Sequence, residues 1–221
     1  MFQMSHIDGD HDMNIKRHQK IILPLLSILA MISLAACASD VKLPRLADDA
    51  VILAFGDSIT FGTGVGPHQS YPAYLERMTR RRVVNAGMPG EGTAAGLSRL
   101  KDILGQEKPA LIIICHGGND YLRQLSHERV ADNIREMVNL ARKKDAAVVL
   151  IAVPTIGWSK EPAPLYREIA EDMTVPLEEK TLSAILADDS LKSDLIHPNA
   201  AGYHRMAESI VELLKKSGAI D

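Results

Sequence analysis

Short apolar runs alternate with amphipathic stretches along this chain, and that alternation constrains the fold more than any other feature. Val51–Phe55, Val83–Ala86, Ala110–Cys115 and Ala147–Val153 are such runs, and each stops at a glycine, a proline or a polar cluster. Runs of this length bounded by turn signals read as buried strands. Ala110–Cys115 is apolar on both faces, as in a parallel sheet covered on both sides. The stretches between carry apolar residues at helical spacing, most clearly Val130, Ile134, Val138 and Ala141 behind a capping Ser126. Strands alternating with helices imply a parallel sheet with right-handed crossovers. The expectation is one three-layer α/β domain of flavodoxin-like type, a five-stranded parallel sheet in the order 2-1-3-4-5 with helices on both faces.

The remaining elements follow from caps and breakers. Ser70 opens a helix to about Arg80, with Pro72 tolerated in its first turn. Arg80-Arg81-Arg82 reads as a solvated junction. Thr93 to Leu104 is a helix ended by Gly105. Pro154 to Pro164 is an irregular loop, and Pro164 to about Met173 is helical. Val175-Pro176-Leu177 supplies a short fifth strand, and residues 183–193 have no assignment. Ala200 to Lys216 is a terminal helix with Met206, Ile210, Leu213 and Leu214 turned inward.

The first 36 residues have another character. Lys16-Arg17-His18-Gln19-Lys20 is basic, Ile21 to Leu34 is apolar but broken by Pro24, and Leu34-Ala35-Ala36 leads into Cys37. A basic start, a short apolar stretch and small residues before a cut form a secretory signal. Residues 1–12 are polar and acidic, and Met13 makes the better start. The cluster His6, Asp8, Asp10, His11 and Asp12 therefore belongs to no mature metal site. Small residues ending at a cysteine also resemble the lipobox of bacterial lipoproteins. That resemblance implies cleavage before Cys37, lipid on its sulfur and anchoring in a membrane. Ala38, in place of Asp, points to the outer membrane, with the protein facing the periplasm. The plainer alternative is an ordinary signal with a chance cysteine. Residues 37–49, with Pro44, then form a tether, and residues 50–221 form the domain.

Composition narrows the partners. With 221 residues and a net charge of -3, the chain has one domain's length and no basic field for nucleic acid. Two cysteines, Cys37 and Cys115, make no disulfide framework, and Cys115, at the end of an apolar run, reads as a buried thiol. No metal ligand cluster or cofactor motif stands in the mature region. Gly62, Gly64 and Gly66 start several residues after the first strand, and strand two ends in Asn85 rather than an acid. Both facts count against a dinucleotide fingerprint.

Ser58 is the candidate nucleophile. It follows the first strand in Gly56-Asp57-Ser58, at the carboxyl end where open α/β sheets place their chemistry. A hydroxyl needs a base, a group to orient that base, and donors for an oxyanion. Asp57 reads as a structural residue of the turn. Asp194 and His197 are three residues apart, so one tight turn can present both.

Four motifs fall at strand ends or before the last helix: Gly56-Asp57-Ser58, Asn85-Ala86-Gly87-Met88-Pro89-Gly90, Gly117-Gly118-Asn119-Asp120 and Asp194-Leu195-Ile196-His197-Pro198. In this order they resemble those of the SGNH hydrolases, the GDSL esterase family, over roughly residues 50 to 216. The resemblance implies catalysis by Ser58, His197 and Asp194. It implies an oxyanion hole of the Ser58 N–H, the Gly90 N–H and the Asn119 amide. It also implies a mobile loop, Asp120 to Gln124, covering a bound acyl chain. Candidate substrate contacts are Asp120, Tyr121, Leu122, Ile156 and Trp158, the last either a pocket wall or a core anchor. His116, His68, His127 and His204 have no partner at readable spacing and read as surface or supporting residues. The likeness is greatest to the bacterial periplasmic acyl-thioesterase, lysophospholipase and arylesterase group. That group often has Leu where this chain has His116, which leaves chain-length preference open.

The expected function is hydrolysis of small acyl esters or thioesters by a monomer held to the membrane through lipid on Cys37. A carbohydrate O-acetylesterase would use the same residues, and a non-catalytic binding lipoprotein would use none of them for turnover.

Overall fold

In the computed structural model the described residues are 41–155 and 160–221. Cys37, Ile156 and Trp158 lie outside them, as does the whole leader. Five strands form one parallel sheet in the order β2-β1-β3-β4-β5: β1 Ile52–Gly56, β2 Val83–Gly87, β3 Leu111–Cys115, β4 Ala147–Ile151 and β5 Leu177–Glu178. The expected order is the observed one. β1 lies between β2 and β3 in continuous register, from Ile52 opposite Val83 and Leu111 to Gly56 opposite Gly87 and Cys115. Every residue of β1 and β3 is buried, which is why their sequences are unbroken apolar runs rather than alternating ones.

The chain first crosses from β1 to β2 and then reverses to reach β3. Right-handed crossovers in opposite directions put their helices on opposite faces. On one face α2 (Tyr71–Thr79) packs against the terminal helix α8 (Ala200–Lys216). On the other, α3 (Thr93–Glu107) packs against α5 (His127–Arg142), and α5 against α6 (Leu165–Met173). Val130, Ile134, Val138 and Ala141 of α5 are buried, as their spacing requires, and the Ser126 hydroxyl caps that helix by accepting from Arg129 N–H. Met206, Ile210 and Leu214 of α8 are buried, with Leu213 at the margin. Cys115 is a buried free thiol.

Local chemistry moves several boundaries. Gly105 lies inside α3, which ends instead at Lys108 in a left-handed conformation, φ 44°. Pro109 follows and has no N–H to continue the helix. Ser70 precedes α2 but makes no side-chain cap, because its hydroxyl donates to the Pro67 carbonyl. The fifth strand begins at Leu177; Pro176 offers only its carbonyl, which accepts from Leu150 N–H at 2.9 Å. Residues 183–193, without an assignment, supply most of α7 (Thr181–Ala187) and a single 3₁₀ turn, Asp189–Leu191.

The expected tether is also revised. Leu43 N–H donates to Ser217 O at 2.9 Å and Leu46 N–H to Ala219 O at 2.8 Å, so residues 43–46 run along the chain's carboxyl end. Leu46 is 4% exposed and belongs to the core. Arg81 is no solvated junction: its guanidinium donates to the carbonyls of Leu46, Ala47 and Thr79. The apolar Leu43 and Leu46 explain the difference, since both find core surface to cover. Leu46→Ala is expected to lower the unfolding free energy in urea by about 2 kcal/mol or more. A loss within about 0.5 kcal/mol is the value for an exposed position and would restore the tether reading.

Candidate active site

The turn after β1 sets Ser58. Helix α1 (Ser58–Phe61) begins at the serine, and Asp57 caps it, with Oδ1 accepting from Ile59 N–H at 3.1 Å. Asp57 is buried, and loss of solvent pushes its carboxyl above the ordinary range. It is a structural residue, in keeping with its expected role. Tyr71 and Tyr203 brace the turn from behind: the Tyr71 hydroxyl meets Thr60 Oγ1, and the Tyr203 hydroxyl donates to Thr63 O.

Asp194 and His197 come together on the turn before α8. Asp194 Oδ1 accepts from the N–H groups of Ile196 and His197, both at 2.8 Å. Oδ2 lies 2.7 Å from His197 Nδ1, and His197 Nε2 lies 2.9 Å from Ser58 Oγ. The carboxylate accepts a hydrogen bond from Nδ1–H, which leaves the Nε2 lone pair facing the hydroxyl. Partial burial works to raise the Asp194 pKa, but hydrogen bonds from Ile196 N–H and His197 outweigh it and hold the carboxyl below its usual range. Asn199 caps α8, accepting from Gly202 N–H at 3.1 Å, so the start of that helix does not call on the His197 side chain.

The loops after β2 and β3 meet beside this turn. Asn119, on the short helix α4 (Gly118–Leu122), donates from Nδ2 to Glu91 O at 3.0 Å and lies 3.4 Å from Asp57 Oδ2. Gly90, next to Glu91, holds a φ of 77°, which a side chain would strain, and its carbonyl accepts from Arg123 Nη2 at 2.7 Å. The three expected oxyanion groups thus come from loops leaving three adjacent strands.

Ser58, Asn119 and His197 line one cleft of about 70 Å³, walled by Leu122, Val153, Leu182, Leu186 and Ile196. Leu122 is an expected contact that the structure brings to the cleft. Asp120 is not: it is buried, and its two oxygens accept from the N–H and the hydroxyl of Thr93, both at 2.8 Å. Its carboxylate serves the N-terminus of α3, which has no side-chain cap of its own. Tyr121 faces a different hollow, with Leu125 and His127. The expected mobile loop begins as helix α4. Leu182 and Leu186 carry no sequence signal, because the seven residues of α7 are too few for a helical period to stand out, and Val153 reads there only as the end of the fourth apolar run. A larger hollow of about 540 Å³, lined by Arg167, Glu168, Glu179 and Lys180, contains none of Ser58, Asn119 and His197.

His116 is fully buried rather than at the surface, and its Nε2 lies 3.2 Å from Glu91 Oε2. Burial works to raise the Glu91 pKa, but hydrogen bonds from His116 and Arg99 bring it down to about 2.

Residues 54–205 match the GDSL-like Lipase/Acylhydrolase family. The chain is similar to the esterase TesA of Pseudomonas aeruginosa, 31% identical over 193 residues, covering 82% of this chain and 96% of that one. It is 28% identical to the arylesterase of Vibrio mimicus over 75% of this chain and 88% of the relative. The thioesterase 1/protease 1/lysophospholipase L1 of Escherichia coli is 25% identical over 87% of this chain and 91% of that one. Among solved structures, the crystal structure of TesA superposes with a TM-score of 0.67 at 30% identity, covering 75% of this chain and 98% of that one. AlinE4, an SGNH-hydrolase family esterase, superposes at 0.60 and 30% identity, covering 78% and 98%.

Because Asp194 is held low, it stays ionised through the mildly acid range where an imidazole base gains its proton, near pH 6.5 for a free side chain. The acid limb of kcat/KM should therefore follow a single protonation, with a limiting slope of about one. A steeper limb, needing two protons, would mean that the carboxylate titrates with the base.

Proposed function

Because this chain belongs to the GDSL-like Lipase/Acylhydrolase family and is an esterase-type hydrolase, we propose that it cleaves acyl esters through Ser58, His197 and Asp194. The observation that carries the reading is the continuous hydrogen-bonded chain from Asp194 Oδ2 through the imidazole to Ser58 Oγ, opening on an apolar-walled cleft. Ser58 Oγ attacks the acyl carbonyl carbon while its proton passes to His197 Nε2. Asp194 orients the ring and stabilises its charged form. The carbonyl oxygen becomes an oxyanion, received by the N–H groups of Ser58 and Gly90 and by the Asn119 amide. When the tetrahedral adduct collapses, the C–O or C–S bond to the leaving group breaks and His197 gives that group the proton. Water then attacks the acyl-serine, giving its proton to His197; the bond from the acyl carbon to Ser58 Oγ breaks, His197 returns the proton to Oγ, and the carboxylic acid leaves.

Leu122, Val153, Leu182, Leu186 and Ile196 along the cleft wall favour an apolar acyl group. The names of the relatives support esters, and among them aryl esters and thioesters, as the substrate class. A purely binding role does not suit a member of a hydrolase family. Sequence alone supports the remaining part of the reading: export by residues 1–36, lipid on Cys37, and a place on the outer membrane facing the periplasm.

Ser58→Ala and His197→Ala should each lower kcat on a short p-nitrophenyl ester by at least about 10³-fold, with thermal unfolding unchanged. Full turnover in either folded variant would remove the mechanism. From p-nitrophenyl acetate to butyrate, kcat/KM should rise as the apolar wall takes up the added methylenes; a fall would overturn the reading of an apolar acyl site.

A further inference from the structure

We infer that His116, Glu91 and Arg99 form a positioning network that fixes the oxyanion donors, an inference that rests on the proposed roles of Gly90 and Asn119. The network joins the two loops that carry those groups. His116 Nδ1 accepts from Gly117 N–H at 3.1 Å, so the ring's remaining proton lies on Nε2 and points to Glu91 Oε2 at 3.2 Å. The imidazole thereby bolts the loop after β3 to the loop after β2. Arg99, on α3, grips the same carboxylate from the other side, at 2.8 Å through Nε and 2.6 Å through Nη2. It is itself anchored to β2 through the Ala86 carbonyl at 3.1 Å, and its guanidinium stands 4.6 Å from the centre of the Phe55 ring in β1. Glu91 is held by its side chain, and its backbone does the rest. Its carbonyl accepts the Asn119 amide, and Gly90 is the residue before it.

None of the three side chains is built to meet a substrate. His116 is fully buried, the Glu91 side chain is 7% exposed, and Arg99, 23% exposed, has its guanidinium committed to Glu91 and the Ala86 carbonyl. The fit is close enough to constrain its neighbours: a Cβ on Gly96 would stand 2.3 Å from His116 Nε2, so α3 can approach the ring only with glycine there. The consequence for chemistry is geometric. Oxyanion donors act through preorganisation, and an amide displaced by a fraction of an ångström loses much of its effect on the transition state while ground-state binding hardly changes. The network supplies two attachment points on Glu91 in a region that has no strand pairing to hold it.

Glu91→Gln removes the charge that Arg99 needs and is the direct variant. Because breaking a buried ion pair can unfold a protein, His116→Leu is the second, with His116→Gln restoring a donor and an acceptor. On p-nitrophenyl acetate, Glu91→Gln and His116→Leu should each lower kcat about 10-fold or more while KM changes less than about 2-fold. His116→Gln should recover most of the loss. Affinity for a boronic acid that forms a tetrahedral serine adduct should fall in step with kcat/KM, and affinity for the product carboxylate should not. In an Asn119→Ala background, Glu91→Gln should cost less than it does in the unsubstituted enzyme, since one of the two donors it positions is gone. Losses that multiply in the double variant, losses confined to KM, or full kcat in folded His116→Leu would overturn the network. If Asn119→Ala alone leaves kcat intact, the proposed oxyanion role falls first and this inference with it.

Discussion

The parallel pairing of β1 between β2 and β3 is the constraint on which the site depends. Parallel neighbours in register release their chains at the same edge. The loops bearing Ser58, Gly90 and Asn119 therefore leave the sheet side by side, although they lie far apart in sequence. The reversal of crossover direction at β1 opens a crevice between the loops after β1 and β3, the place where open α/β sheets receive ligands. The turn carrying Asp194 and His197 then only has to fold over one edge of that crevice, and the start of α8 puts it there. Burial of every residue of β1 and β3 makes this arrangement rigid, because the strands cannot shift without exposing apolar surface on two faces.

Beyond the strand ends, apolar packing gives way to buried carboxylates. Asp57 caps α1, Asp120 reaches across to the N-terminus of α3, and Glu91 sits between Arg99 and His116. Each acid meets backbone N–H groups or cations that replace lost water, which is the condition for burying such a group without large cost. The result is a ring of short loops held by directional bonds, suited to groups whose placement matters to a few tenths of an ångström. Stability and chemistry are thus divided between two kinds of force: hydrophobic burial fixes the platform, and charge-assisted hydrogen bonds fix what stands on it.

Much of the fold was legible because it depends on periodicity. The strands announce themselves as apolar runs, and Val130, Ile134, Val138 and Ala141 betray one side of α5. Asp194 and His197 were legible for a different reason: they share one turn, and the geometry of a turn is local. What escaped is what depends on contacts between remote segments. Asp120 looked like a loop acid beside Asn119, yet its partner, Thr93, is on another crossover. Glu91 and Arg99 are eight residues apart across a loop and a helix, a spacing that carries no pattern. His116 has no polar neighbour in sequence, and only the fold brings Glu91 to its ring. Gly105 read as a stop because glycine often ends helices, but the break belongs to Lys108 and Pro109. Leu43 and Leu46 passed for a tether because the surface that covers them comes from the opposite end of the chain.

The central claim is that Ser58 is a hydroxyl made nucleophilic by His197. The most direct measurement is covalent labelling by a fluorophosphonate, with the modified peptide identified by mass spectrometry and the rate compared in folded His197→Ala. The account predicts one label per chain, on Ser58, with a rate that collapses when the imidazole is removed. Labelling at another residue, or at Ser58 with an unchanged rate in His197→Ala, would contradict it.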